Sequence, residues 1–89
     1  CGNVRPGRPT AQAQNRGNTI RLAWAPVDTA ARKWVIQAGD GRTWYTVCIL
    51  PGGQNRVTLP ASLIGSANRI AIRPISACGN SGTPAVLAR

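Results

Sequence analysis

Arg32-Lys33-Trp34-Val35-Ile36-Gln37-Ala38-Gly39-Asp40-Gly41-Arg42-Thr43-Trp44-Tyr45-Thr46-Val47-Cys48-Ile49-Leu50 reads as two strands around a tight turn. From Arg32 to Ala38, Trp34 and Ile36 fall on one face and Lys33, Val35 and Gln37 on the other. That period of two is what a half-buried strand requires. Gly39-Asp40-Gly41 is the clearest turn signal in the chain, because Asp-Gly readily supplies the positive φ of a tight hairpin. Thr43 to Leu50 is rich in β-branched and aromatic residues and is predicted to return antiparallel.

The same alternation continues on both sides. Ile20, Leu22 and Trp24 alternate with Arg21 and Ala23, and Ala25-Pro26-Val27-Asp28 ends that strand. Pro51-Gly52-Gly53 is a break. Arg56 to Leu59 reads as a short strand with Val57 and Leu59 inward. Asn68 to Ser76 reads as a longer one, with Ile70 and Ile72 opposed to Arg69, Ala71 and Arg73. Cys78-Gly79-Asn80-Ser81-Gly82 turns the chain, and Ala85 to Ala88 is a last strand. Ala61 to Ile64 makes one helical turn at most. Six or seven short strands at such spacings predict an all-β antiparallel sandwich, with a small open barrel as the alternative that periodicity does not separate. Residues 1–18 hold three Arg, three Gly, two Pro and three Asn. That segment is predicted to be a flexible tether or linker, ending in a short edge strand around Pro9 to Gln14. The sandwich proper is placed at 19–89.

Eighty-nine residues make one domain, and a hydrophobic fraction of 43% is enough for one modest core. Ten Arg and one Lys stand against Asp28 and Asp40, with no Glu and no His, for a formal charge of +9. Without His there is no imidazole base, no His-based triad and no His metal ligand. The two Asp sit in different turns, so a paired-carboxylate site is excluded as well. Three scattered Cys without His do not make a zinc site. The chain is therefore predicted to bind or build rather than catalyse, with no cofactor and no metal. No run of 18 apolar residues is present that could span a bilayer.

Thr19-Ile20-Arg21-Leu22-Ala23-Trp24 resembles the second strand of fibronectin type III domains, whose Trp packs in the core. Ile72-Arg73-Pro74-Ile75-Ser76 followed by Gly79-Asn80-Ser81 is similar to that family's sixth strand and following turn. The resemblance covers roughly Pro9 to Ala88 and implies a seven-stranded sandwich. Two departures stand out. Asn68 occupies the place of the family's corner Tyr, so the hydroxyl-to-backbone bond there is absent or replaced. Pro74 sits in a strand that should be central, which predicts a bulge or an exposed strand. The segment from Lys33 through Asp40-Gly41 to Leu50-Pro51-Gly52 also resembles fibronectin-like accessory domains of bacterial glycoside-hydrolase-like lipoproteins.

Cys1-Gly2-Asn3 followed by a polar Arg/Pro/Gly stretch looks like the start of a mature bacterial lipoprotein. That resemblance implies lipid attachment at Cys1, and the absence of Asp at position 2 implies the outer membrane. Arg5 and Arg8 would then lie close to anionic headgroups. An oxidising periplasm favours pairing the remaining Cys48 and Cys78. In a fibronectin-like strand order such a bridge must cross over the start of the 32–38 strand, because two strand spacings exceed the disulfide limit. The alternative is two free thiols.

Most Arg fall at outward strand positions and read as a solvated face. Lys33, Arg69 and Arg73 share one face and form a candidate patch for an anionic partner, lipid or glycan. Nucleic acid is disfavoured, since there is no reading helix and no aromatic ladder. Trp44 and Tyr45 are adjacent and so face opposite ways, leaving one candidate exposed ring for a sugar. Two functions follow as expectations. The first is a non-catalytic structural or interaction subunit of an envelope assembly, with other envelope proteins as partners. The second is an accessory domain, spacer or carbohydrate-binding, of a secreted glycoside-hydrolase-like protein.

Overall fold

The computed structural model describes residues 4–89. Seven strands and one helical turn follow in chain order: β1 (Thr10–Arg16), β2 (Thr19–Ala25), β3 (Ala31–Gly39), β4 (Trp44–Pro51), β5 (Arg56–Pro60), α1 (Ala61–Ile64), β6 (Arg69–Ser76) and β7 (Ala85–Ala88). They form two antiparallel sheets, β1-β2-β5 and β4-β3-β6-β7. The predicted sandwich is present, and the barrel alternative is set aside because the two sheets remain separate.

The alternation read from the sequence decides which faces meet. Ile20, Leu22 and Trp24 from β2 oppose Trp34, Ile36 and Ala38 from β3 and Ile70 and Ile72 from β6, all buried. Leu59 from β5 and Ile64 from α1 complete the core cluster. The rings of Trp24 and Trp34 lie 5.8 Å apart at 55°, a tilted aromatic contact that joins the two sheets. Trp34 also donates its indole N–H to the Gly52 carbonyl at 3.1 Å, tying the chain after β4 to the core.

The N-terminal stretch differs from the tether predicted for 1–18. Among its described residues, Pro6 and Pro9 are buried. The Gly7 N–H donates to Asp28 at 3.0 Å, and the Asn80 amide donates to the Val4 carbonyl at 3.3 Å. Beyond Pro9 the whole of Thr10–Arg16 pairs with β2, in register from Thr10↔Ala25 to Arg16↔Thr19. Composition misjudged this segment because backbone pairing needs no large side chain: β1 contributes its ladder of hydrogen bonds and little more than Ala11 to the core.

Pro74 is fully buried and lies opposite Trp34. Its carbonyl accepts from the Gly82 N–H at 2.9 Å. In an antiparallel strand the nitrogen of the same residue faces the same way, so the missing N–H points away from β3. On that side β7 pairs only with Arg69 to Ile72, so the proline removes no ladder bond. A register shift between Ala31 and Lys33, just across the sheet from it, supplies the predicted irregularity.

Candidate functional site

Register on the outer face of the four-stranded sheet fixes where the predicted basic residues stand. Lys33 lies opposite Ile75, Val35 opposite Arg73, and Gly39 opposite Arg69. The three cations do share one face. They do not converge: Lys33 and Arg69 are six residues apart in register, roughly 20 Å at strand rise. Arg73, between them, is half-buried and engaged with neutral partners, donating to Gln37 Oε1 at 3.3 Å and to the Ser81 hydroxyl at 3.2 Å. What remains on this face is a row of separate cations beside the exposed Ile49 and Val86.

Trp44 and Tyr45 do point to opposite faces. Trp44 stands level with Gly39 on the outer face and is half-buried; an added Cβ on Gly39 would lie 3.1 Å from its ring. The indole is thus laid over the strand next to Arg69. Tyr45 is 46% exposed, yet its hydroxyl donates to the carbonyls of Ile64 at 2.7 Å and Leu63 at 3.1 Å. It straps the end of α1 to β4, a sheet-to-loop hydroxyl bond in a chain that has Asn68 at the corner position. The ring is a fastening as well as an exposed surface.

The predicted pairing of Cys48 with Cys78 is not made. Cys48 is a free thiol, whereas Cys78 is disulfide-bonded. Cys48 lies opposite Ile36, and Ile36 opposite Ile72, so β3 separates Cys48 from β6. Two strand spacings are about 9.6 Å, above the disulfide limit of about 7 Å. Cys78 moreover lies six residues beyond Ile72, past the end of β6. Bridging over the middle strand would need both cysteines at one level, and the register denies it. Burial pushes the Cys48 thiol up, which favours its protonated form. Cys1 falls outside the described residues, and so does any lipid on it. Arg5 and Arg8 are exposed on the packed segment before β1.

Asp28 and Asp40 flank opposite ends of β3, roughly 30 Å apart at strand rise. Asp28 accepts from Gly7 and Ala30 N–H groups, and Asp40 from those of Thr43 and Arg42, in each case at 3.0 Å or less. These bonds hold both carboxyls below the usual carboxylate range. Lowered folded-state values mean that the stability they contribute is present above the unfolded value and lost as pH falls through the folded one. With no His in the chain, the melting temperature is expected to stay level from about pH 5 to 7 and to drop only below about pH 4. Circular dichroism melts across pH check this; a transition near pH 6.5 would contradict it.

Arg16, which the sequence places in the tether, and Arg21 and Arg56, which it reads as a solvated face, share the outer face of the three-stranded sheet. Strand parity foretold that Arg21 points outward. That β1 and β5 flank β2 on either side was not legible.

No protein-family model matches this chain, and no curated protein matches it. Solved structures do. Pectate lyase PelI from Erwinia chrysanthemi, in complex with tetragalacturonic acid, matches with a TM-score of 0.68 at 9% identity, over 89% of this chain and 28% of the lyase. Pectate lyase Pel3 from Pectobacterium carotovorum matches with a TM-score of 0.66 at 9% identity, over 92% of this chain and 27% of the lyase. The fibronectin type III domain of human collagen alpha-1(XX) matches with a TM-score of 0.65 at 19% identity, over 94% of this chain and 81% of that domain. Identities this low carry the fold alone: a fibronectin type III-like sandwich. The chain spans little more than a quarter of the length of the lyases it matches.

Proposed function

We propose that this domain is a non-catalytic accessory module, a spacer and docking unit belonging to a larger protein that acts on extracellular polysaccharide. The observation that carries the reading is the pair of proportions above: nearly all of this chain matches, and it matches about a quarter of each pectate lyase. The chemistry agrees. Its only two carboxylates are tied to backbone N–H groups at opposite ends of β3, so no pair of groups stands ready to move a proton between them.

Intact mass spectrometry of the protein from its native source tests the reading. A native chain longer than 89 residues, with the remainder active on polysaccharide and this domain alone inactive, is the expected result. A 9.3 kDa chain carrying a diacylglyceryl increment on the Cys1 peptide overturns it. That outcome favours instead the lipid-anchored subunit of an envelope assembly.

A further inference from the structure

The outer face of the three-stranded sheet has no part in the roles above. Its central strand, β2, presents the small side chains of Ala23 and Ala25, while β1 and β5 present longer ones beside them, Gln12 and Arg56 among them. Small residues between large ones leave a trough of about 680 Å³, bordered by Thr10, Gln12, Ala23, Ala25, Asn55 and Arg56. A second hollow of about 450 Å³ continues it between Arg21, Arg56 and Thr58. Arg56 borders both.

Register places three guanidinium-bearing residues on a diagonal across this face. Arg56 shares a row with Ala23 and Gln12; Arg21 shares the next with Thr58 and Gln14; Arg16 shares the third with Thr19 and Pro60. Each step crosses one strand and one row, roughly 8 Å. Arg16 donates to Gln14 Oε1 at 3.2 Å, which folds its head back toward the row of Arg21. All three are exposed. Neither Asp borders the trough: Asp28 lies in the loop that leaves β2 for β3, three residues beyond Ala25, and Asp40 in the turn between β3 and β4.

We infer that this trough binds a linear acidic polysaccharide, a chain of carboxylate-bearing sugars. The inference rests on the accessory-module reading for its choice of a polysaccharide; the choice of an acidic one comes from the face itself. A guanidinium takes a carboxylate through two parallel hydrogen bonds, and repeated carboxylates suit guanidiniums set at intervals. Between them, Thr10, Gln12, Gln14 and Thr58 offer the hydroxyls and amides that sugar hydroxyls bond. Single-stranded nucleic acid needs rings to stack on. This face presents none to stack on: Trp24 also borders the trough, but it is 3% exposed with its ring packed on Trp34 in the core, and Trp44 and Tyr45 belong to the other sheet. A flat bilayer surface would not use a concave trough.

Affinity electrophoresis and titration calorimetry of the 89-residue chain test this with four probes. They are polygalacturonate, its fully methyl-esterified form, oligothymidylate, and vesicles of phosphatidylcholine with phosphatidylglycerol. Polygalacturonate is expected to bind, and to stop binding when esterified or in high salt. Arg21→Gln and Arg56→Gln should each weaken binding about tenfold, the usual worth of one charged hydrogen-bonding contact. Lys33→Gln with Arg69→Gln, on the opposite sheet, should leave it unchanged. Both arms change exposed side chains only. Equal losses from the two faces would overturn the inference, showing diffuse attraction to a +9 chain. Tighter binding to oligothymidylate or to vesicles would overturn it too. Binding to none of the four would remove the trough as a site while leaving the spacer role, judged by the native chain's mass, untouched.

Discussion

Trp34→Ala is expected to cost about 4 kcal/mol, the middle of the range for truncating a buried aromatic. Trp34 is 1% exposed, sits between Leu50 and Pro74 on the flanking strands, and carries the ring contact to Trp24 across the sandwich. Truncation also strips the Gly52 carbonyl of its indole partner. A domain of this size has a total stability of roughly 4 to 13 kcal/mol, so the variant should lose between about a third and all of it. The informative comparison is with phenylalanine at both tryptophans. Trp34→Phe loses the bond to Gly52 and should cost about 2 kcal/mol. Trp24→Phe should cost about 1 kcal/mol or less, because the Trp24 indole N–H is buried with no partner among the described residues, and its removal relieves a desolvated donor. Urea unfolding followed by circular dichroism gives all three values. Equal losses for the two phenylalanine variants would show that the Gly52 bond contributes nothing.

Gly39→Ala should destabilise by about 3 kcal/mol, at the high end for forced overpacking. Gly39 is buried at the end of β3, and a Cβ there would lie 2.0 Å from the Thr43 carbonyl oxygen and 3.1 Å from the Trp44 ring. The obstacle is backbone, held by the turn in which the Asp40 carboxylate caps the N–H groups of Arg42 and Thr43. No rotamer change can clear it, so the 40–43 turn must move and take Trp44 with it. The neighbouring Gly41 is needed for a different reason: its φ is +94° in open space, so Gly41→Ala is strained by conformation alone, at about 1 kcal/mol. Gly53→Ala meets nothing and has no such φ, so it should be neutral or slightly stabilising. Thermal melts with tryptophan fluorescence separate the three. Gly39→Ala should shift the fluorescence as well as the midpoint, and an unshifted midpoint would refute the clash.

Alternation was legible because it is a local property. Trp34 against Lys33, Ile72 against Arg73 and Leu22 against Arg21 declare an inside and an outside from sequence spacing alone. Asp40-Gly41 declared its turn for the same reason, since a positive φ is chosen within two residues. The missed features depend on backbone pairing or on partners distant in the chain. β1 escaped notice as a full strand because its stabilisation lies in backbone bonds to β2, which composition does not register. The Cys48–Cys78 pairing failed on the insertion of β3 between their strands and on their difference in level. Tyr45 read as a candidate ring for sugar, and only the packing of α1 against the edge of β4 reveals its hydroxyl as a strap.

By itself, then, the sequence determined an all-β antiparallel fold of six or seven short strands, which side chains form its interior, and the absence of His and Glu from any chemistry it could perform. Those follow from period, turn residues and counting. The tertiary structure alone decided which cations stand together. Lys33, Arg69 and Arg73 share a face and yet spread along it, while Arg16, Arg21 and Arg56, from three different strands, form a diagonal across the other sheet's outer face, where Arg21 and Arg56 border the hollows. Strand parity tells each residue which way to point, but neighbours across a sheet are set by strand order and register, which come from long-range pairing of the backbone.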